Sequence, residues 1–273
     1  MDTFYFGRLN FIGKRNLWDL LNAKHIYRKN NGLNFGIFEL EKIRDKDLGL
    51  VYVGELIKYA DYIAEDVVKK GKPDIEYIKG SIRGRSRFFL TESDHIICYN
   101  PYGRIVSDKA FKSAFSAILI AADDSMEVDS LIYPINSEHE FSKFLKTKMK
   151  LIRKITFTLT PSNPSNRDEW KDVDDKLNEM NAKSYKEEIV AKDGKSLQLQ
   201  DEEYSKIEMA SDGYGTARVE GIDKNRQNVT ISTNKKQNIL RKSISKLLTV
   251  KEQLKSLETS FKDIGKRFKK NKK

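Results

Sequence analysis

Three arginines at every second position of one short segment are the residues of this chain best spaced for binding an anion. Arg83, Arg85 and Arg87 run directly into the apolar residues 88–90. In an extended chain, side chains two residues apart point to the same face, and planar guanidinium groups bind phosphate oxygens in pairs. The spacing therefore predicts phosphate contacts from one face of a strand, although the solvated face of a half-buried strand fits the same pattern.

A second group of cations lies near the C-terminal end of the sequence. Lys266, Arg267, Lys269 and Lys270 belong to the run KRFKKNKK. Lysine and arginine side chains that neutralise phosphates gain affinity because they release condensed counterions. This run therefore predicts a nucleic-acid-binding arm, and a solubilising tail is the alternative interpretation.

The side chains that usually perform hydrolytic or transfer chemistry are few and dispersed. His25, His95 and His139 occur singly, and Cys98, the single cysteine, lies in an apolar segment, where a buried and inert thiol is typical. The sequence GYG at 213–215 lacks the remaining residues of a phosphate-binding loop. These patterns predict no catalytic residue and no cofactor.

Carboxylates that could bind metal ions for a nuclease occur in three places. One group is expected in a loop, one on the solvated face of a helix, and one has a spacing too compressed for a nuclease motif. We therefore predict no metal site, and a metal-dependent nuclease or toxin-like effector is kept as an alternative. The three groups are Asp123 with Asp124, Asp172 with Asp174 and Asp175, and Asp74 with Glu76 and Lys79.

The elements that must position these residues are a mixture of strands and helices. Alternating apolar residues predict strands at 3–12, 33–43, 50–57, 88–90, 96–99, 128–135, 151–160, 185–190, 215–222 and 228–233. Helices are predicted at 17–26, after Ile57, after Ser107, after the capping box at 137–140, at 170–180 and at 204–209. Because the two kinds of element do not alternate strictly, the sequence predicts an α+β fold with mixed, mostly antiparallel sheets.

The clearest helical pattern is a seam of apolar residues near the C-terminal end. Leu240 and Ile244 precede it in the same spacing of three and four residues. The seam spans three heptads, so it predicts a long, basic, amphipathic helix that packs on a second copy of the chain or on a partner subunit. Its members are Leu247, Val250, Leu254, Leu257, Phe261 and Ile264.

The charge is unevenly distributed over three predicted regions: an N-terminal α+β domain at 1–149, a second α+β domain at 150–233, and a basic helix and tail at 234–273. The last region contains 14 basic and three acidic residues, so its net charge of +11 equals that of the whole chain. Such a segment raises the local concentration of polyanions. The asymmetry therefore favours a nucleic-acid partner.

Two classes of protein are disfavoured by composition. No run approaches about 18 apolar residues, which is the length needed for a membrane-spanning helix, and the sequence MDTFYFGRLNFIGKR does not have the pattern of a secretory signal. A single cysteine cannot form an intramolecular disulfide, which suits a reducing compartment. We therefore expect a cytoplasmic protein that has no membrane partner.

The order of these features resembles RexA-like phage-exclusion proteins and related uncharacterised bacterial phage-defence domains. The similar segments are FYFGRLNF, the hairpin FFLTESDHIICY that leads into a helix, ITFTLTPSNPSN with the acidic helix after it, GYGTARVEG, and the basic C-terminal helix. The resemblance implies a cytoplasmic bacterial or phage protein with two domains, which dimerises and binds DNA with little sequence preference. It implies no catalytic residues.

The sequence thus predicts a non-enzymatic, largely sequence-independent nucleic-acid-binding protein of an antiviral defence system, with DNA favoured over RNA. Besides the nuclease or effector, a scaffold subunit that docks on a protein partner through its C-terminal helix is an alternative. Self-association or a partner subunit is expected in each case, because the apolar seam needs a surface to cover it.

Overall fold

Helices pack on antiparallel sheets in this computed structural model, which confirms the predicted α+β class. The structure describes residues 1–12, 16–23, 26–28, 33–60, 62–69, 72–79, 82–123, 129–137, 140–162 and 167–267. At 12, 62–69, 72–79 and 129 the description is limited to the backbone.

Fourteen strands occur in the described part of the chain. They are β1 (Asp2–Ile12), β2 (Ile26–Arg28), β3 (Leu33–Asp45), β4 (Gly49–Ala60), β5 (Tyr62–Lys69), β6 (Lys72–Lys79), β7 (Ile82–Thr91), β8 (Ile96–Tyr99), β9 (Asp129–Pro134), β10 (Met149–Leu159), β11 (Tyr185–Val190), β12 (Gly215–Asp223), β13 (Asn228–Ser232) and β14 (Arg241–Ile244). Most of them begin and end close to the segments whose alternating apolar residues predict strands.

Six α-helices accompany these strands within the described residues. They are α1 (Leu17–Asn22), α2 (Asp108–Ala121), α3 (Glu140–Lys148), α4 (Lys171–Glu179), α5 (Asp201–Ser211) and α6 (Val250–Arg267), and a 3₁₀ turn at Asp168–Trp170 precedes α4. Ser107 caps α2 as predicted, because its Oγ accepts the Ala110 N–H at 3.2 Å. None of the described helices combines the length and the apolar character needed to cross a lipid bilayer.

The larger sheet has eight strands in the order β14-β1-β8-β7-β4-β3-β2, and β9 pairs with β1. Strands β7 and β8 form the predicted hairpin, in which Phe88 lies opposite Tyr99 and Leu90 opposite Ile97. Because successive side chains alternate between the two faces, Phe88 packs with α2 on one face, whereas Phe89 packs with α6 on the other. The larger sheet is therefore covered by helices on both sides.

The smaller sheet has the strand order β11-β10-β12-β13 and packs with α3, α4 and α5. Its core contains Trp170, Phe157 and Tyr214, and also Phe141 and Leu145 of α3. The core of the smaller sheet therefore starts with α3, a few residues before the predicted boundary at 149/150. Residues 241–267 belong in turn to the larger sheet.

The segment after Ile57 forms strands, so the helix predicted there is wrong. Strand β4 continues to Ala60, and β5 then pairs with β6 in a separate two-stranded ribbon, from Tyr62 opposite Lys79 to Lys69 opposite Lys72. The segment contains aromatic and β-branched residues, which favour strands when a partner strand is available. Of the predicted break at 71–74, residues 72–74 are the first residues of β6, and residue 71 lies outside the described part of the chain.

The C-terminal helix begins later than the seam predicts. Residues 241–244 form β14, which pairs with the start of β1 through Thr3 opposite Ser243. Strand β1 would otherwise leave backbone groups unpaired along this edge. The helix then begins after Thr249, whose N–H donates to the Glu252 carboxylate at 2.8 Å.

Candidate nucleic-acid interface

The three alternating arginines lie on β7, and two of them, Arg85 and Arg87, are on the face of the larger sheet that carries α6. Strand alternation places Arg85 and Arg87 on the same side as Phe89, which packs in the core beneath α6. Arg87 lies at the N-terminal end of that helix, where its Nη1 donates to Gln253 Oε1 at 3.3 Å. The shared face of Arg85 and Arg87 thus agrees with the spacing in the sequence, whereas at Arg83 the pairing of β7 with β4 is irregular.

Two of these arginines are neutralised by carboxylates of the neighbouring strands. Glu55 is opposite Arg87 on β4, and its side chain is only 8% exposed. Its Oε1 lies 2.7 Å from Arg87 Nη2 and its Oε2 lies 3.0 Å from Arg85 Nη1, which also lies 3.0 Å from Glu39 Oε1. The hydrogen bonds to Glu55 and then to Glu39 raise the pKa of the Arg85 guanidinium. The two arginines therefore compensate a nearly buried carboxylate.

Arg83 differs from the other two arginines in its surroundings. It is exposed at the outer end of β7, and it makes no ion pair with any other residue that the structure describes. Of the predicted phosphate ligands on this strand, Arg83 thus has the guanidinium that is available to a phosphate without breaking an existing ion pair.

The predicted oligomerisation seam is buried inside the chain. Leu254, Leu257, Phe261 and Ile264 pack on the larger sheet, and the ring of Phe261 lies 5.4 Å from that of Phe6 in an edge-to-face arrangement. This correction follows from the sheet, whose second apolar face needs the helix as cover. These four residues are therefore not exposed for the predicted self-association or scaffold docking.

The two upstream members of the seam lie outside this core cluster. Val250 is half-buried at the start of α6, where it packs against the edge of the same core. Leu247 precedes the helix in a turn and is 94% exposed. Leu247 therefore does not continue the helical seam, because α6 begins only at Val250.

The predicted basic arm is divided by the structure. Arg267 is buried, and its Nη1 donates to Asn136 O at 3.0 Å and to Asp212 Oδ1 at 3.3 Å. Lys266 is exposed, 3.6 Å from Asp263. Lys269 and Lys270 lie outside the described residues. Of the two described residues, Lys266 is therefore available to an anion, whereas Arg267 has a structural role.

The Asp212 cluster joins the two sheets. Asp212 Oδ2 accepts from Arg167 Nη1 and from Trp170 Nε1, both at 3.0 Å, while its backbone oxygen accepts from Arg8 Nε at 3.0 Å. Arg267 completes the cluster from α6. A buried carboxylate that is surrounded by arginines and an indole N–H indicates a fixed structural contact between β1, α5, α6 and the segment before α4.

A basic groove of about 730 Å³ lies on the other side of the larger sheet, between the start of β1, the turn at 100–107 and the N-terminal end of α2. Its exposed cations are Arg104, Lys109, Lys236 and Lys246. None of these four belongs to the set that the sequence predicts. They come from three separate segments, and the fold brings them together.

Two carboxylates that line the basic groove are occupied by other contacts. Asp108 lies 2.8 Å from Lys112 Nζ and accepts from Tyr99 OH at 2.5 Å, and Asp2 lies 3.5 Å from Lys246. In contrast, Arg104, Lys109 and Lys236 form no ion pair with any described residue. The groove therefore has an excess of positive charge.

Aromatic side chains accompany these cations. Tyr102 is 50% exposed at the rim of the basic groove, and Tyr5 lines its floor, with Lys236 Nζ 5.7 Å from the centre of the Tyr5 ring. The turn that carries Tyr102 rests on Gly84, where an added Cβ would lie 2.8 Å from Ile105 Cγ2. Since strand alternation places Gly84 on the side opposite Arg85 and Arg87, the basic groove and these two arginines occupy opposite faces of β7.

The side chains with catalytic potential are buried or lie outside the described residues. Burial, and then the charge of Arg8, lowers the pKa of His95 to about 4, and burial raises the pKa of the Cys98 thiol well above its usual value. His25 and His139 are not among the described residues. Neither described group is therefore arranged as a nucleophile or as a proton-transfer residue.

The carboxylates considered as metal ligands have structural contacts. Asp174 is buried and accepts the N–H of Ser162 at 2.6 Å. Asp45, Asp47 and Glu258 form an acidic group, but Lys262 bonds both Asp47, at 2.7 Å, and Glu258. Because the Lys262 ammonium already bridges two of these three carboxylates, we assign them to a surface ion-pair network.

Three of the other carboxylates that were considered in the sequence lie at described positions. Asp172 and Asp175 are exposed on α4, and Asp123 is buried after the end of α2. Asp124 lies outside the described residues, and at Asp74, Glu76 and Lys79 only the backbone of β6 is described. Asp123 therefore lies on a different element from Asp172 and Asp175.

Comparison with known proteins gives a family and no activity. No curated protein matches the chain. One family model, described as a domain of unknown function, matches residues 4–258, and this range includes nearly all of both sheets. The chain therefore belongs to the DUF4747 family.

Proposed function

We propose that this chain is a non-enzymatic protein that binds nucleic acid with little sequence preference, and that the basic groove is its binding site. The observation that carries the proposal is the grouping of unpaired cations around an exposed aromatic ring. Lysine and arginine side chains attract phosphates irrespective of sequence. A tyrosine ring offers a surface on which any base stacks.

The segments that enclose the basic groove support a single strand as its ligand. Proteins that hold single strands combine a basic channel with aromatic side chains on which successive bases stack. The turn at 100–107 and the segment 234–246 enclose the basic groove on two sides, which suits a flexible chain better than a rigid duplex. Its contents do not distinguish the two sugars, and DNA is proposed as the polymer because the resemblance to phage-exclusion proteins points to it.

The biological setting of the proposal is antiviral defence in the cytoplasm of a bacterium. Its support is the resemblance of the segment order to RexA-like exclusion proteins, together with a single buried cysteine, which suits a reducing compartment. Because α6 is covered by the chain's own sheet, any self-association or partner subunit must use another surface. Measurement of mass in solution tests this point, and plating of phages on cells that express the chain tests the defence role.

Binding of fluorescent oligonucleotides at several salt concentrations tests the central proposal. Strands of about 12 nucleotides and unrelated sequence should bind similarly, with log affinity falling against log salt at a slope of about −2 for three phosphate contacts. The substitutions Arg104→Ala, Lys109→Ala and Lys236→Ala together should weaken binding about tenfold or more.

A matched variant separates local from general charge effects. Lys171, Lys192 and Lys195 are exposed near the smaller sheet, so their replacement by alanine removes the same charge far from the basic groove. Affinity should change much less in this variant. Equal losses in the two variants, or no binding by the unmodified protein at low salt, would refute the proposal.

A further inference from the structure

A second cavity lies in the helical layer of the smaller sheet. This acidic pocket has a volume of about 460 Å³ and is bounded by the 3₁₀ turn before α4, by α4 itself, by α5 and by β11. Its volume is within the range of small-molecule sites in proteins. None of its lining residues also lines the basic groove.

The floor of the acidic pocket is apolar. Trp170, Val173 and Leu177 are buried beneath it, and Tyr185 and Met180 line its sides. The single polar atom of the indole, Trp170 Nε1, donates to Asp212, so the ring has no donor left for a ligand. The floor therefore suits methylene groups.

The rim of the acidic pocket is negatively charged. Five carboxylates and two lysines line it, which gives a formal charge of −3. Glu169 pairs with Arg167 at 2.7 Å and Glu202 with Lys206 at 2.8 Å. The other three carboxylates form no ion pair within the described residues; they are Asp168, Asp172 and Asp201.

Lys206 shows that an ammonium group is stabilised at the edge of the acidic pocket. Its side chain is buried, its ammonium lies 2.7 Å from Glu187 Oε2 and 2.8 Å from Glu202 Oε1, and it is 5.8 Å from the centre of the Tyr185 ring. An alkylammonium group is thus already held here by carboxylates and an aromatic face. The chain supplies one such group itself, and three carboxylates remain for others.

We propose that the acidic pocket binds a linear polyamine, whose methylene segments lie on the apolar floor and whose ammonium groups pair with Asp168, Asp172 and Asp201. A trivalent polyamine such as spermidine has one ammonium group for each of these three carboxylates. A hydrated metal ion would match the charge but would leave the apolar floor uncovered. The proposal is independent of nucleic-acid binding, because the two sites share no residue.

Titration calorimetry of the full chain with spermidine tests the proposal. We expect saturable binding at one site, with affinity falling about threefold for each of the changes Asp172→Asn and Asp201→Asn. Asp193→Asn removes an exposed carboxylate of the same region outside the acidic pocket, and it should leave the affinity unchanged. Equal losses in all three variants would overturn the proposal.

Two further ligands show whether the floor contributes. Magnesium ions at matched ionic strength should neither bind saturably nor displace spermidine, and 1,3-diaminopropane should bind more weakly than spermidine because it carries fewer methylene and ammonium groups. Each variant should fold normally, because the substituted side chains are exposed. Circular dichroism checks this. Magnesium that competes as well as spermidine, or an absence of saturable binding, would refute the site.

Discussion

The arginines of β7 and the cations of the basic groove differ in their immediate neighbours. Arg85 and Arg87 lie beside Glu55 on the adjacent strand, whereas Arg104, Lys109 and Lys236 face an open groove without a paired carboxylate. The arginines of β7 compensate a carboxylate that is nearly buried, whereas the charges of the groove cations are exposed to solvent. Cations that stabilise the fold and cations that can recruit a polyanion are thus distinguished by what surrounds them.

The strongest test of this comparison is the Asp212 cluster, where burial is deepest. Asp212→Ala should lower the free energy of unfolding by about 3–5 kcal/mol, because it leaves the buried guanidinium of Arg267 without its carboxylate and that of Arg167 with Glu169 alone. Urea denaturation measures the change. Asp193→Ala, at an exposed position, should have almost no effect, and a loss below about 1 kcal/mol in the Asp212 variant would contradict a structural role for this cluster.

A smaller effect is expected where the arginines are partly exposed. Arg87 is 29% exposed, so Arg87→Ala should cost about 1–2 kcal/mol of unfolding free energy, since Glu55 retains Arg85. Arg83→Ala should change stability by less than about 0.5 kcal/mol. The same urea titrations provide this ranking, and equal stabilities for the two variants would show that the ion pair of Arg87 with Glu55 contributes nothing.

The smallest expected effect concerns the basic groove and appears in binding alone. Tyr102→Leu keeps an apolar side chain but removes the aromatic face, so affinity for a single strand should fall by about 1 kcal/mol, or about fivefold, at unchanged stability. Anisotropy titrations measure the affinity, and thermal melting checks stability. Retention of full affinity would mean that bases do not stack on this ring.

Much of the fold follows from the sequence because local pattern and tertiary packing agree. The alternation in β10, the cap of α2 at Ser107 and the β7–β8 hairpin are examples. Two errors in the predicted secondary structure have a shared cause. The segment after Ile57 and residues 241–244 both form strands because another strand of the chain pairs with them. For residues 241–244 that strand is β1, which lies near the other end of the sequence.

The candidate sites are harder to predict for the same reason. The period of Arg83, Arg85 and Arg87 reveals a shared face but not the opposing Glu55, which is 28 to 32 residues away in sequence. The basic groove unites the turn after β8 with residues near 236 and 246, and no local spacing indicates this. A useful signal is the pair Tyr102 and Arg104 in a short turn before a capped helix, where a polar surface segment is expected.

The pairing of β14 with β1 has a consequence for the order in which the protein acquires structure during synthesis. Thr3 cannot pair with Ser243 until residue 243 has been synthesised. Likewise, the apolar face that includes Phe4, Phe6 and Phe89 is not covered until α6 has been synthesised. The residues of the smaller sheet, from α3 to β13, leave the ribosome earlier and contain their own apolar core. The smaller sheet can therefore fold first, while the larger sheet stays exposed to aggregation and to chaperones until its last strand and helix emerge.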